Sequence, residues 1–408
     1  MKEYGIGYLK SKLAIKQRGV RRRYSYYEMK NRIEDVRGII PAEFKWLSET
    51  LGWCAKAVDT LSDRIIFDGF DNDDYMTGEI FKLNNPDVLF DSAVLSALIS
   101  SCSFIYIRPD TDGYPLMQVI DGGSATGIID PVTNLLTEGY AVLERNEHGA
   151  PVSEAYFRPY RTDYYTEGHL DESLTVEHHA PYALLVPVIY RPDAKRAFGH
   201  SRISRACMSI TQAAMRTLRR SEVSAEFYSF PQKYVLGLSD DAEFNNRAAA
   251  ISSFLDFRKD PDGDKPSVGQ FQQQSMTPYI EQLKAFASMF AGETGLTLDD
   301  LGFSGSNPSS SEAIKASHEN LRLTARKAQR TFGTGFLNAG FLAACLRDSY
   351  EYDRRAFANI KCLWQPIFEP DAASLGGLGD AILKINQACP DFLGKRSIRQ
   401  LTGLSSDD

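Results

Sequence analysis

The sequence predicts an α+β protein of several parts, and three observations predict it. Apolar residues recur at helical spacing near both ends of the chain and through its second half. Short strand-like runs divided by Gly, Pro, Asn and Asp fill the stretch from Ser103 to Val188. The longest helix-like pattern, within Gly302 to Tyr350, opens behind a loop of Gly, Ser, Asn and Pro. A chain of 408 residues has room for about two or three domains with substantial cores. Hydrophobic residues at 43% and charged residues at 24% are globular values, neither disordered nor membrane-like. Six scattered cysteines, with no CxxC and no His at metal spacing, are expected as buried free thiols. No apolar run is long enough to span a bilayer, and Met1-Lys2-Glu3-Tyr4 opens no signal-peptide core, so the expectation is synthesis in a cytoplasm and no membrane contact.

Residues 1–40 are locally basic, with Lys10, Lys12, Lys16, Arg18 and Arg21 to Arg23 followed by Tyr24, Tyr26 and Tyr27. The segment reads either as a basic-aromatic arm or as a solvated, partly ordered terminus. Pro41 starts a helical region with Phe44, Leu47, Leu51, Cys54, Val58 and Leu61 on one face, running into a short strand over Arg64 to Phe70. A helix follows at 87–101, then a strand at 103–108 closed by Pro109. The sheet-rich stretch ends in the apolar strand Ala183 to Ile189, and His178-His179 reads as a surface turn. Ser201 is placed to cap a long helix carrying Ile203, Cys207, Ile210, Ala214 and Leu218. Pro231 stops it, Tyr234 to Gly237 is a strand, and helices are expected at 240–257 and 278–294 on either side of a polar turn at 258–275. Further helices fit 371–388 and 397–401.

The stretch around which the chain is organised follows. Pro308 stops what precedes it, and Ser309-x-x-Glu312 fits a capping box. Ile314, Leu321, Ala325, Ala328 and Phe332 then keep one stripe, with Lys315, Arg322, Arg326 and Arg330 beside it and Lys327 adjacent. From Glu312 to Arg330, five Lys/Arg face two Glu, a local charge of +3 in a chain of net −7. Gly333 and Gly335 are expected to interrupt this helix before an apolar run resumes at Phe336. It is either a kinked lever or an amphipathic core helix with a solvated basic face.

Catalytic motifs are missing from the sequence. There is no GxxxxGK[ST], no HExxH, and Gly302-Phe303-Ser304-Gly305 misses GxSxG by one position. Paired acids such as Asp240-Asp241 and Asp299-Asp300 fall at helix starts, where the helix dipole favours them. Nothing points to an enzyme or to a cofactor.

The chain resembles the portal (head–tail connector) proteins of tailed phages with long non-contractile tails. The resemblance is carried by Trp53-Cys54-Ala55-Lys56-Ala57-Val58-Asp59 through Gly69-Phe70, and by Gly199-His200-Ser201-Arg202-Ile203 through Glu222 to Phe227. It continues with Pro231 to Gly237, Phe290-Ala291-Gly292-Glu293-Thr294-Gly295-Leu296 and Asn307 to Ala316. It covers most of residues 40–350. It implies the phage portal fold, ring-forming, with an α/β wing, a two-helix stem, a small clip, a long wing helix and a helical crown. On this chain the parts would be an N-terminal arm at 1–40, wing at 41–238, stem helix at 239–257, clip at 258–277 and second stem helix at 278–296. The tunnel loop and long wing helix would take 297–350, and the crown 351–408. The resemblance further implies a ring, typically a 12-mer, at one capsid vertex of the virion, made in the host cytoplasm, through which double-stranded DNA is packaged and ejected. Its partners would be the terminase large subunit, a head–tail adaptor, and major capsid and scaffold proteins.

Three groups of residues would meet those partners. Phe303, Ser304, Ser306, Asn307 and Ser309 would face DNA in the tunnel loop. Lys315, Arg322, Arg326 and Arg330 would form a basic face on the helix or channel. Lys259, Asp260, Asp262, Asp264 and Lys265 would dock a partner at the clip. A net charge of −7 opposes tight DNA binding, as sliding requires, while local cations could centre the duplex. A minor capsid or scaffold protein, or a nucleic-acid-processing enzyme without a known motif, are the competing readings.

Overall fold

The basic N-terminal stretch folds as a 23-residue helix, α1 (Gly5–Tyr27), packed into the body of the protein. Of the two readings of this stretch, the helix is at odds with the solvated, partly ordered terminus. Leu9, Leu13 and Val20 are buried at helical spacing, a stripe hidden in the sequence by the cations around it, and Tyr26 is buried near the helix end. The far end of the helix is held by charge. The Glu138 carboxylate accepts from the backbone N–H of Tyr4 at 2.8 Å and of Gly5 at 3.0 Å, satisfying donors at the helix start that have no partner within the helix. Lys10 reaches the buried Glu154 at 2.7 Å, and Tyr140 and Tyr156 donate their hydroxyls to Glu154 and Glu138.

The computed structural model describes residues 3–34, 49–229, 233–236, 267–270, 275–303, 316–368 and 372–402. After α1 come α2 (Trp53–Ser62), β1 (Phe67–Asp71), α3 (Thr77–Lys82) and α4 (Pro86–Ser100). Strands β2 (Cys102–Pro109) and β3 (Pro115–Asp121) lead to β4 (Ala125–Ile129), β5 (Leu136–Arg145), β6 (Pro151–Arg158), β7 (Arg161–Thr166), β8 (His169–Glu177) and β9 (Leu185–Ile189). Strands β4 to β8 form a five-stranded antiparallel meander, and β2 sits between β3 and β9 in a second antiparallel sheet. Helix α5 (Arg205–Ser229) follows. Then come β10 (Lys233–Leu236) and β11 (Ser267–Gln270), helix α6 (Thr277–Thr294), the long helix α7 (Glu319–Arg347), β12 (Lys361–Trp364), α8 (Ala372–Ala388) and α9 (Lys395–Thr402).

Two departures from the sequence reading have plain causes. His178 is not in a surface turn: it is buried, accepts from Ala180 N–H at 3.2 Å, and lies 3.5 Å from the Thr162 hydroxyl. Burial, with His179 adding to it, pushes its pKa down to about 4, so it is neutral near pH 7. The α5 cap is Ser204, whose hydroxyl accepts from Cys207 N–H at 3.1 Å, rather than Ser201.

Ser201 belongs instead to a buried knot that joins the layers. Its hydroxyl donates to Ile99 O at the end of α4 at 2.6 Å, and Ile203 N–H donates back to it at 3.0 Å. Arg202, also buried, sends Nε to Ala57 O of α2 at 3.2 Å and Nη2 to Thr294 O at the end of α6. Gly199 has φ +71°, and a Cβ there would lie 2.0 Å from Tyr190 O, so only glycine fits. The segment Gly199 to Ile203 is thus a joint between helices α2, α4 and α6.

The core gathers around α7. Trp53 meets Phe290 with ring centroids 5.6 Å apart, and Phe67 contacts Phe90, Phe336 and Trp364. Strand β12 pairs antiparallel with β1, Phe70 opposite Cys362, so residues 361–364 complete a sheet begun near residue 67. The described cysteines are free; Cys54, Cys102, Cys207 and Cys345 are buried, while Cys362 is half-buried and Cys389 exposed. Among the described residues, no helix is long and apolar enough to cross a membrane.

Candidate functional site

The long helix runs without a break from Glu319 to Arg347, through the glycines expected to interrupt it. Those glycines are contact points. A Cβ at Gly335 would lie 3.1 Å from Pro187 O of β9, one at Gly333 would lie 3.3 Å from Cys362 Sγ of β12, and one at Gly340 would lie 3.2 Å from Thr77 Cβ of α3. Small residues at these positions let a helix approach two strands and a second helix closely. That gain outweighs their low helix propensity.

The first half of α7 is built differently. Leu321, Ala325 and Ala328 are buried, while Arg326, Lys327 and Arg330 are exposed. Arg322 is engaged by Glu319 through two hydrogen bonds of 2.8 and 2.7 Å on the helix surface. No ion pair among the described residues engages Arg326, Lys327 or Arg330. Of the expected basic face, therefore, Arg326 and Arg330 stand free, Arg322 is paired, and Lys315 lies outside the described residues.

Lys327 and Arg330 border a cleft of about 320 Å³ between α7 and the end of β9. Thr331, Thr334 and Asn338 continue its helix wall, with Asn134, Pro187, Ile189 and Pro192 opposite. Asn338 is buried and donates to Thr133 O at 3.0 Å while accepting from Arg354 at 3.2 Å. The sequence reading missed this wall. Lys327, Thr331, Thr334 and Asn338 repeat at steps of four, three and four, a polar stripe on a helix otherwise read only for its apolar and basic faces.

The approach to α7 is fixed on both sides. Thr297 and Asp300 cap each other, with Asp300 Oδ2 accepting from Thr297 N–H at 2.8 Å and Thr297 Oγ1 accepting from Asp300 N–H at 3.2 Å. Asp300 Oδ2 also lies 3.9 Å from Nδ1 of His318, just before α7, so residues on the two sides of 304–315 are close in space. Phe303 packs against the core and meets Trp53 edge-on at 6.4 Å, which makes it an anchor at the start of the expected loop. Ser304, Ser306, Asn307, Ser309 and the Ser309/Glu312 capping box lie outside the described residues. So do Lys259, Asp260, Asp262, Asp264, Lys265 and the helix expected at 240–257.

Strands β10 and β11 form an antiparallel ribbon, pairing Tyr234 with Gly269 and Val235 with Val268. A Cβ at Gly269 would lie 2.2 Å from the Tyr234 ring, so the aromatic covers the glycine across the strand pair. Ser267 to Gln270, with Val268 as its one apolar residue, is thus a strand and not part of the expected polar turn. No group of three or more His, Cys, Asp or Glu suited to a metal ion occurs among the described residues.

The chain is 25% identical over 331 residues to the portal protein of Mycobacterium phage L5, covering 76% of this chain and 67% of that protein. It is 25% identical over 341 residues to the portal protein of Mycobacterium phage D29, covering 78% and 70%. The resemblance to tailed-phage portal proteins read from five segments thus extends over three quarters of the chain. No family model matches it. Among solved structures, chains of a native gene transfer agent virion and of the neck of that particle computed with C12 symmetry are 14% identical. Each covers 86% of this chain and 90% of its own, with TM-scores of 0.47 and 0.45.

Proposed function

We propose that this chain is the portal subunit of a tailed phage, forming a homo-oligomeric ring at one capsid vertex and conducting double-stranded DNA in and out. The observation that carries the reading is its similarity to two portal proteins across more than three quarters of its length. Residues 41–238, completed by β12, form the wing; α6 is the second stem helix, 258–277 the clip, and α8 and α9 belong to the crown. The segment 302–311 is the tunnel loop. Phe303, set against Trp53, anchors its start, and Ser304, Ser306, Asn307 and Ser309 face the duplex. Uncharged hydroxyls and amides there would touch DNA without the salt-linked grip of a cation. Arg326 and Arg330, free of ion pairs among the described residues, supply sparse positive charge on an acidic subunit. Terminase and adaptor dock at the clip, and the ring performs no reaction of its own.

The test is imaging of the purified full chain by negative-stain electron microscopy, with mass measured in parallel. Pierced rings are expected. Closed shells, or monomers at micromolar concentration across a salt series, would overturn the reading.

A further inference from the structure

Two surface patches of opposite sign lie near the two ends of helix α4. Near its C-terminal end, Lys12 and Lys16 of α1 place their ammonium groups 5.1 and 4.2 Å from the centroid of the Phe198 ring. Arg23, about two and three turns further along α1, has a buried Nε with no hydrogen-bond partner among the described residues. Arg196 and Arg205, both exposed, are close enough to Arg23 to repel it. Lys12, held at Gly127 O, titrates down at about 8, chiefly through burial and then through Lys16 beside it. The Asp121 carboxylate, within reach of Cys102 at the centre of this group, accepts from Gly123 N–H at 2.6 Å. Among the described residues, no carboxylate forms an ion pair with any of the five cations.

At the N-terminal end of α4 the sign is reversed. Asp87 and Asp91 lie in its first two turns, and Asp63 ends α2 beside them. The Asp91 carboxyl is raised by burial, then by Asp87 and Asp63. The helix dipole accounts for Asp87 in the first turn, but not for three carboxylates with no ion pair among the described residues. Arg196 has an acid beside it: its backbone N–H donates to Asp193 at 2.7 Å, and its Nη1 lies 3.4 Å from His200, which pairs with Asp193. In a chain with 53 acidic and 46 basic side chains, the other four cations, without an ion pair among the described residues, suit an external anion. A closed ring requires two different, complementary patches on each subunit. Helix α4 separates these two by roughly 20 Å, from 1.5 Å of rise per residue.

We infer that the Lys12, Lys16, Arg23, Arg196 and Arg205 patch of one subunit receives the Asp63, Asp87 and Asp91 patch of the next, as a head-to-tail contact of the ring. The inference rests on the ring reading above and names the surfaces that close it. A neighbour's carboxylates would supply the missing partners, and the exposed Arg196 and Arg205 would form the outer edge of the contact.

The test reverses each patch in the full chain. One variant carries Lys16→Glu with Arg205→Glu; the other carries Asp63→Lys with Asp91→Lys. Each alone should lose at least about tenfold in ring fraction by mass photometry, because like charges would then face each other. Mixed in equal amounts, the two should recover rings with alternating subunits, and one chain carrying all four changes should form rings by itself. Circular dichroism checks the fold. Should Lys16→Glu disturb α1, Arg196→Glu with Arg205→Glu, both on exposed side chains, takes its place. Rings from either reversed variant alone, or no recovery in the mixture, would overturn this contact while leaving the ring reading intact. Absence of rings in the unmodified chain would overturn both. A cation-patch variant that keeps its rings but loses binding of a short DNA duplex would assign the patch to nucleic acid instead.

Discussion

The two halves of the long helix solve opposite problems with the same backbone. From Phe332 to Leu346 almost every residue is buried, and three glycines bring the helix against β9, β12 and α3. From Glu319 to Arg330 only one narrow stripe is buried, and the charges are left in water. The buried half fixes where the helix lies. The exposed half is free to present Arg326, Lys327 and Arg330 at little cost, since exposed charges carry no large desolvation penalty. A helix that both anchors and presents therefore need not be kinked: anchoring at one end suffices.

The sharpest challenge to that contrast is Gly335→Val. Its side chain would press on Pro187 O and Val188 where even a Cβ comes within 3.1 Å, and a loss of about 3 kcal/mol in unfolding free energy by urea titration is expected. A change under about 0.5 kcal/mol would show that β9 yields and the glycine is not a contact point. Asn338→Ala should cost less, about 1.5 kcal/mol. It removes the donor to Thr133 O and the acceptor for Arg354, although Arg354 also reaches Thr133 O at 3.3 Å and can take part of the load. Combining it with Arg354→Met should give less than the sum of the two losses if they form one network. The smallest effect on stability belongs to Arg326→Gln with Arg330→Gln, within about 0.5 kcal/mol. In a packaging assay the same pair should make DNA translocation velocity depend less steeply on ionic strength. A stability loss as large as that of Asn338→Ala would erase the distinction between the halves.

Much of this was legible because apolar spacing survives local noise. Helices α4, α5 and α6 and strand β2 fall within a few residues of where Leu89 to Ile99, Ile203 to Leu218, Ile280 to Phe290 and Phe104 to Ile107 place them. What the sequence hid was tertiary. The stripe of α1 is sparse, and its cations drew attention first. Gly333 and Gly335 were read by helix propensity, whereas their neighbours Cys362 and Pro187 decide the outcome. Arg202 gave no sign that its guanidinium would be buried among carbonyls from α2 and α6, since neither helix is near it in sequence. The basic residues of α7 are legible as a pattern, but which of them pair with a neighbour is a matter of rotamers, as with Arg322 and Glu319.

The clamp on the first helix has a consequence in time. Glu138 holds the N-terminus of α1 across a separation of 134 residues. At roughly 5–20 residues per second of synthesis, α1 would leave the ribosome on the order of ten seconds before its carboxylate partner exists. During that interval Leu9 and Leu13 have no sheet to cover them, and the strongly cationic stretch to Arg23 is adjacent to them in the same helix. Mutual repulsion of those cations gives the waiting segment a means of staying apart from other nascent chains until β5 arrives to claim it.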